Sequence, residues 1–528
     1  MFWADRLAEE ITKEYGKKIA AGKPLVIRDE KTASGRVHIG SLRGVAIHGI
    51  VAEILNQRGI VNRFLYEIND FDPMDGLPSY LDRKKFLPHM GKPLCMVPPP
   101  EDTAENYAEY FANEFVGVIA ETGFVPEFYR ASEQYKAGKF NDAIRVALEN
   151  ADRIRAIYKK ISGSVKDGDW MPLQVICEKC GKIGTTKVSS FDGEKVIYRC
   201  EEKLVSWAQG CGHDGTLSPF DGNAKLSWKV EWAAKFKIFG VDIEGAGKDH
   251  STKGGSRDIA SAICRDVFSH IPPYNIPYEF LLVEGKKMSS SKGAGASSRE
   301  VADSLPHELL RLLLLLKDPK RVVDFVPDGD TIPLLFDTYD KLAQAYFENA
   351  PGDYPGTFIL MHSPQERQKI AKRFLPRFLQ VAFLVQMPHM NIEKEVAKMK
   401  GETLTEEDRK EIAHRSKYAA HWLEKYASEE YRYELQEDRV PEGAKNFSEI
   451  QKKALTLLLT YITAQDALDG QALHTKLHEI KTDTGIAPQE FFSAIYRSFL
   501  GKDSGPKAGW FLSVLGKEFL EKRLKEVV

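Results

Sequence analysis

Apolar and polar positions follow two regimes along the chain. In the first half, short apolar runs end in charged or glycine residues and then pass into helical spacing. "PLVIRDE" (Pro24 to Glu30) is an apolar run followed by charge, the pattern of a buried strand. In "KTASGRVHIGSLRGVAIHGIVAEIL" a glycine-containing turn gives way to Leu42, Val45, Ile47, Ile50, Val51 and Ile54 at helical spacing. Strand, glycine turn and helix together open a nucleotide-binding α/β fold. "RFLYEIND" (Arg63 to Asp70) reads as the next strand, acidic at its C-terminal end.

Helical stretches such as "ENYAEYFANEFVGVIAETG" and "NDAIRVALENADRIRAIYKKI" then alternate with short β-like pieces and a cysteine cluster, as in an insertion. "VDIEGAGKDH" and "YEFLLVEGKKMSSSKG" resume strand-loop patterning, and after Glu300 the pattern is helical to the end. "ENAPGDYPGTF" (Glu348 to Phe358) is the best linker candidate, through its Pro and Gly turn signals. The expected organisation is a first catalytic half at 1–75, an insertion at 76–222 and a second catalytic half at 223–300. A helical region at 301–355 and a further helical domain at 356–528 follow.

Composition changes this picture little. A chain of 528 residues with 43% hydrophobic and 28% charged residues is ordinary for a multidomain globular protein. A net charge of −2 neither demands nor excludes a nucleic-acid partner, because binding surfaces are local. The N-terminal stretch is amphipathic, with Asp5, Glu9 and Glu10 and no apolar core of a signal peptide. The most apolar run, "LLRLLLLLK" (Leu309 to Lys317), is far shorter than the roughly 20 residues of a membrane span. A cytoplasmic protein without membrane association is expected.

Of six cysteines, Cys177, Cys180, Cys200 and Cys211 cluster, which in such a chain favours metal over disulfides. "CEKCG" places two thiolates on one turn, and "CEEKLVSWAQGCGH" supplies a stretched second pair. A structural zinc ribbon is expected, with Cys211 as fourth ligand and His213 as its competitor. Four thiolates leave zinc no open position, so its role would be folding and contact with a nucleic-acid partner, not catalysis.

Chemistry concentrates in two further motifs. In "SGRVHIGSLRG", His38 and Gly40 stand where a turn enters a helix, so N–H groups and the positive helix end face a ligand. Ser41 is a candidate cap of that helix. In "KKMSSSKG", Lys287 and Lys292 with Ser289, Ser290 and Ser291 offer preorganised donors to a leaving pyrophosphate.

Together "HIGS" (His38 to Ser41) and "KMSSS" (Lys287 to Ser291) resemble the HIGH and KMSKS signatures of class I aminoacyl-tRNA synthetases. "EKTASGRVHIGSLRG", "NDFDPMDGLP", "GKPLCMVPPPED", "LSWKVEWAAKF", "GKDHSTKGGS" and "SKYAAHWLEKYA" are similar to blocks of class I lysyl-tRNA synthetases, in the same order over nearly the whole chain. Ser41 replaces the second histidine and Ser290 the second lysine, for which Lys292 is the neighbouring substitute. The family often has glycine where Glu30 stands.

The resemblance implies an α/β fold: an interrupted Rossmann catalytic domain, a connective insertion with the zinc ribbon, a helical stem-contact region and an all-α anticodon-binding domain. It implies ATP as co-substrate with Mg2+, structural Zn2+, and L-lysine and tRNA(Lys) as partners of a monomer. By resemblance His38, Gly40 and Ser41 hold ATP, with Ser34 and Gly35 beside them. Lys287, Ser290, Ser291 and Lys292 close on its phosphates, and Met288 lies near the adenine. Gly247, Asp249, His250 and Gly254 line the adenylate pocket.

A lysine ammonium needs acceptors or aromatic faces. Glu30 and Asp70 are the carboxylate candidates, Trp228 and Trp232 a wall, and Thr32 a partner for the α-amino group. Two alternatives stay open: a glutamate enzyme using Arg28 or Arg36 as a fork, and a degenerate synthetase body acting as a zinc-ribbon RNA-binding protein. For tRNA, "RQKIAKRFLPRF" and "HRSKYAAHW" combine basic and aromatic residues.

Overall fold

The first apolar run forms β1 (Leu25–Thr32), buried from Leu25 to Asp29. The computed structural model that contains it describes residues 1–286, 296–387 and 390–528. β2 (Asn62–Asn69) and β3 (Glu127–Arg130) lie parallel to it in the order β1-β2-β3. Parallel bridges extend the sheet beyond β1, from Ile27 to Ile243 and from Ile243 to Tyr274. The five segments therefore lie in the order 3-2-1-4-5, reversing between β1 and the Ile243 segment. Open parallel sheets bind ligands outside the carboxyl ends of their strands at such a reversal.

The crossover from β1 to β2 is α1 (Ile39–Gln57), with apolar residues buried along nearly its whole length. Glycine lets it lie close to the sheet. A Cβ on Gly44 would stand 2.7 Å from Asp29 Oδ2 and 2.9 Å from the Tyr278 hydroxyl. His48, on the same helix, accepts at Nε2 from the Gly245 N–H at 2.7 Å, while its Nδ1 faces Gly44 O at 2.7 Å. That ring ties α1 to the segment after Ile243.

β3 comes from within 76–222, the stretch that the sequence pattern assigns to the insertion. Four residues with no alternation give too little signal to mark it as a sheet strand. After β3, the expected long helix "NDAIRVALENADRIRAIYKKI" is two, Asn141–Glu149 and Ala151–Ser162, divided at Asn150. Antiparallel β4 (Thr186–Phe191), β5 (Val196–Cys200) and β6 (Asp214–Leu217) carry the cysteine region. α2 (Trp228–Ile238) leads back to the parallel sheet.

The leucine run forms the helix His307–Leu315, buried from Glu308 to Leu315. Its Arg311 donates to Thr122 O at 2.8 Å and Leu360 O at 2.9 Å. The linker candidate is not a linker. The helix Tyr354–Leu360 begins inside it and buries Thr357, Phe358 and Leu360.

The described chain divides into two compact units, Met1–Phe325 with Leu342–Lys369, and Val326–Lys341 with Ile370–Val528. The second is helical, and its starts are capped by short polar side chains: Thr405 with Asp408, and Ser448 with Gln451. Leu455, Leu458, Phe491, Phe499 and Phe511 fill its core. Among the described residues, no helix is long and apolar enough to cross a membrane.

Candidate active site

A cavity of about 640 Å³ opens where the strand order reverses. β1 contributes Asp29, Glu30, Lys31 and Thr32; the following turn and α1 contribute Ser34, His38, Gly40 and Ser41. Gly247, Asp249 and His250 face them from beyond Ile243, and α2 adds Trp228 and Trp232. Residues as far apart in sequence as Asp29 and Leu281 thus meet at one place. Gly35 and Gly254 are not part of this lining.

His38, not Ser41, occupies the cap position of α1: its backbone is extended and Ser41 already lies inside the first turn. A Cβ on Gly40 would stand 3.0 Å from His38 Nδ1, so glycine gives the imidazole room over the helix start. Lys287, Met288, Ser290, Ser291 and Lys292 lie outside the described residues. Their described flanks meet the same helix end. Leu281 O would lie 3.4 Å from that Cβ, Ile39 N donates to Ala296 O at 3.3 Å, and Ser298 N donates to Val37 O at 2.7 Å.

One side of the cavity is a continuous ion network. Arg28, fully buried, donates to Glu30, to Glu67 at 2.8 Å and to Glu244 at 2.7 Å. Lys235 reaches Glu30 at 2.9 Å, Glu67 at 2.6 Å and Glu231 at 3.2 Å. Lys225 joins Glu231 at 2.5 Å to Asp72 at 3.0 Å, and Thr32 Oγ1 donates to Asp72 at 2.7 Å. Burial alone would raise the Glu30 pKa, but Lys235 and Arg28 outweigh it and hold the carboxyl well below its usual range.

This changes several expectations. Glu30 lines the cavity yet already serves two cations, and the Thr32 hydroxyl serves Asp72. Asp70 does not line the cavity: it is buried and accepts from Ser132 N at 2.8 Å and Ser132 Oγ at 2.5 Å. Arg28 is spent on carboxylates, and Arg36 lies 5.5 Å over the Tyr80 ring, outside the lining. Trp228 and Trp232 do form a wall, stacked at 6.1 Å, with His250 edge-on to Trp228 at 5.2 Å.

The remaining lining is acidic. Seven carboxylates (Asp29, Glu30, Asp72, Asp75, Glu244, Asp249, Glu279) face two lysines, Lys31 and Lys225, with no arginine among the described lining residues. Burial and the neighbouring Asp72 push the Asp75 carboxyl above its ordinary pKa. Burial pushes the Lys31 ammonium down, against the pull of Asp29 and Asp249. Lys225 and Glu244 were not singled out from sequence, and Asp72 stood out only as part of the acidic block with Asn69 and Asp70. Only "NDFDP" carried any signal, an acidic run after a strand.

The cysteine region brings Cys177, Cys180, Cys200 and Cys211 together, with all four sulfurs within 4.8 Å of one another. The Cys177–Cys211 and Cys180–Cys200 sulfurs stand 3.6 and 3.7 Å apart. His213 instead gives its carbonyl to Cys200 N at 2.8 Å. Such a set could hold a metal ion.

The densest basic cluster is partly consumed by ion pairs. Arg367 pairs with Glu53, Arg373 with Glu411 at 2.6 Å and Arg377 with Asp337 at 3.0 Å.

Residues 1–355 match the family model for tRNA synthetases class I (K), and residues 409–528 match an anticodon binding domain. The chain belongs to this class I tRNA synthetase family. It is 34% identical to a lysine–tRNA ligase of Methanosarcina barkeri (strain Fusaro), over 99% of this chain and 97% of that protein. It is 30% identical to a lysine–tRNA ligase of Archaeoglobus fulgidus, over 99% of each. Among solved structures, a glutamate tRNA ligase from Elizabethkingia meningosepticum covers 96% of this chain and 99% of its own, with 13% identity and a TM-score of 0.44. The fold is that of class I synthetases, a mixed α/β catalytic region followed by a helical anticodon-binding domain.

Proposed function

We infer that this protein is a lysine–tRNA ligase. Kinship along the whole length with lysine–tRNA ligases supports it. The observation that carries lysine over glutamate is the lining of the cavity: an excess of carboxylates, an aromatic wall and no guanidinium among the described lining residues. A glutamate side chain would meet repulsion there, whereas an ammonium offsets the surplus negative charge and lies against tryptophan faces.

In this reading a lysine carboxylate oxygen attacks the α-phosphorus of ATP, the α–β anhydride breaks, and pyrophosphate leaves. A ribose hydroxyl of the terminal tRNA adenosine then attacks the acyl carbon, and the mixed anhydride breaks to release AMP. His38, Gly40 and Ser41 at the start of α1 would hold ATP, with Asp249 and His250 beside the adenylate. Lys287 and Lys292 would stabilise the developing pyrophosphate charge, with Mg2+ supplying further neutralisation. The closeness of both flanks of that loop to His38 and Gly40 supports this assignment.

Zinc is the ion that the four thiols suit. Sulfurs bound tetrahedrally at 2.3 Å lie about 3.8 Å apart, close to the 3.6 and 3.7 Å of the two pairs. Such an ion would stabilise the inserted β4–β6 region and take no part in the chemistry.

The test is aminoacylation of a tRNA(Lys) transcript by the purified chain with ATP and each amino acid in turn. Lysine alone is expected to charge it, with one AMP released per acyl group. No charging with lysine would overturn the reading.

A further inference from the structure

The helical unit encloses a second cavity, of about 320 Å³, with a different chemistry. Phe383, Trp422, Tyr431, Tyr433 and Trp510 contribute aromatic surface to it, and the exposed Arg377 and Lys507 also line it. Close-packed interiors leave few spaces of this size. Here five aromatic rings share the lining with Leu379, Gln380, Ala382, Gly505 and Pro506, and none of them fills the gap.

The polar atoms show a further asymmetry. Trp422 donates its indole N–H to Pro327 O at 3.0 Å. Trp510 Nε1 is buried and has no acceptor among the described residues. A buried donor left in this state is costly, and an incoming acceptor would relieve the cost. Cations stand nearby: Lys507 is exposed at the lining, Arg377 is half exposed in its pair with Asp337, and Lys502 lies 5.8 Å over the Tyr433 ring while donating to Glu429 O and Arg432 O. Ring faces, one unmet donor and cations are the combination that binds single-stranded nucleic acid. Bases stack while phosphates meet Lys and Arg.

We propose that this cavity takes one unstacked base of the anticodon loop, with Trp510 Nε1 donating to an acceptor on the base edge and Lys507 and Arg377 facing the flanking phosphates. The proposal rests on the lysine–tRNA ligase reading and on the anticodon-domain match of residues 409–528, and it locates the contact within that unit. The cavity is not a second site for lysine or ATP. Its described lining lacks the carboxylates that surround the first cavity and presents five aromatic rings instead.

The experiment uses the full chain and tRNA(Lys) transcripts. Steady-state charging is compared for the unaltered chain, Trp510→Ala, Trp510→Phe, Ala382→Leu, which narrows the cavity, and Lys507→Ala. Trp510→Ala and Ala382→Leu are expected to raise the KM for tRNA about tenfold or more, with KM for ATP and lysine and kcat at saturating tRNA within about twofold. Trp510→Phe, which keeps a ring and removes the donor, should raise it about threefold to tenfold. Lys507→Ala should raise it a few-fold and flatten its salt dependence.

Transcripts with an abasic nucleotide at each anticodon position in turn provide the second arm. One position should cost the unaltered chain about as much as Ala382→Leu does, and should cost Ala382→Leu nothing further. Unchanged tRNA KM in Trp510→Ala and Ala382→Leu, or additive losses at every abasic position, would overturn the proposal. If those two variants fail to fold, unchanged KM and salt dependence in Trp510→Phe and Lys507→Ala would overturn it equally. Failure of the unaltered chain to charge tRNA(Lys) at all would instead remove the underlying reading.

Discussion

The two cavities of this chain are built on opposite principles. The one at the parallel sheet is walled by buried ions tied into a single network from Glu244 through Arg28 and Lys235 to Asp72. The one in the helical unit is lined in part by aromatic rings and has one unmet donor, Trp510 Nε1, among the described residues. Buried ion pairs contribute little net stability, because desolvation offsets their attraction. Their presence at the first cavity therefore reads as a device for holding charge in fixed places around a small charged substrate. Ring faces bind by shape and stacking and suit a base presented by a larger partner. On the proposed reading, the first cavity chooses an amino acid and the second helps choose a tRNA.

The comparison breaks most sharply at Arg28. Arg28→Met leaves Glu30, Glu67 and Glu244 without their shared cation, and urea denaturation should show about 3–5 kcal/mol of lost stability. A loss below about 1 kcal/mol would mean that water or a neighbouring cation replaces it, and the network would not be closed.

Next in size is the double replacement of Lys287 and Lys292 by alanine. Lysine-dependent formation of the adenylate, followed by rapid quench, should slow by about 10²–10³-fold, with lysine binding little changed. Near-normal rates would end the phosphate role of that loop.

Cys177→Ser, or exhaustive chelation, should remove one zinc per chain by metal analysis. It should also lower the melting temperature by roughly 2–4 °C for each kcal/mol lost. Unchanged melting and metal content would end the ribbon assignment.

The smallest effect is a pH dependence. The folded-state pKa of Glu30 is depressed by Lys235 and Arg28 against the effect of burial. Its contribution to stability is therefore present above the ordinary glutamate pKa of 4.5 and is lost as pH falls below it. Stability measured across that acid range should fall less steeply in Glu30→Gln than in the unaltered chain. Parallel curves would place the acid sensitivity elsewhere.

Much of the sheet was legible because β1 and β2 are buried runs that end in charge, and α1 begins at a glycine turn. β3 was not, since "EFYR" is four residues with no alternation. The Pro-Gly stretch misled because turn residues also start helices, and Phe358 is an anchor that local composition does not reveal. At the site, residue types at a turn could be read from order along the chain, so His38, Gly40, Asp249, His250 and both tryptophans fall together. The partners of Glu30 and the burial of Asp70 could not, because Lys235 lies 205 positions from Glu30 and Ser132 lies 62 from Asp70.

The central claim is that an acidic lining, with no arginine among its described residues, selects a cationic side chain. It is tested most directly by adenylate formation, in the presence of tRNA(Lys), with lysine, with norleucine as its uncharged analogue, and with glutamate. The account predicts activation of lysine, norleucine weaker by about 10²-fold or more, and no activation of glutamate. Norleucine equal to lysine, or any preference for glutamate, would contradict it.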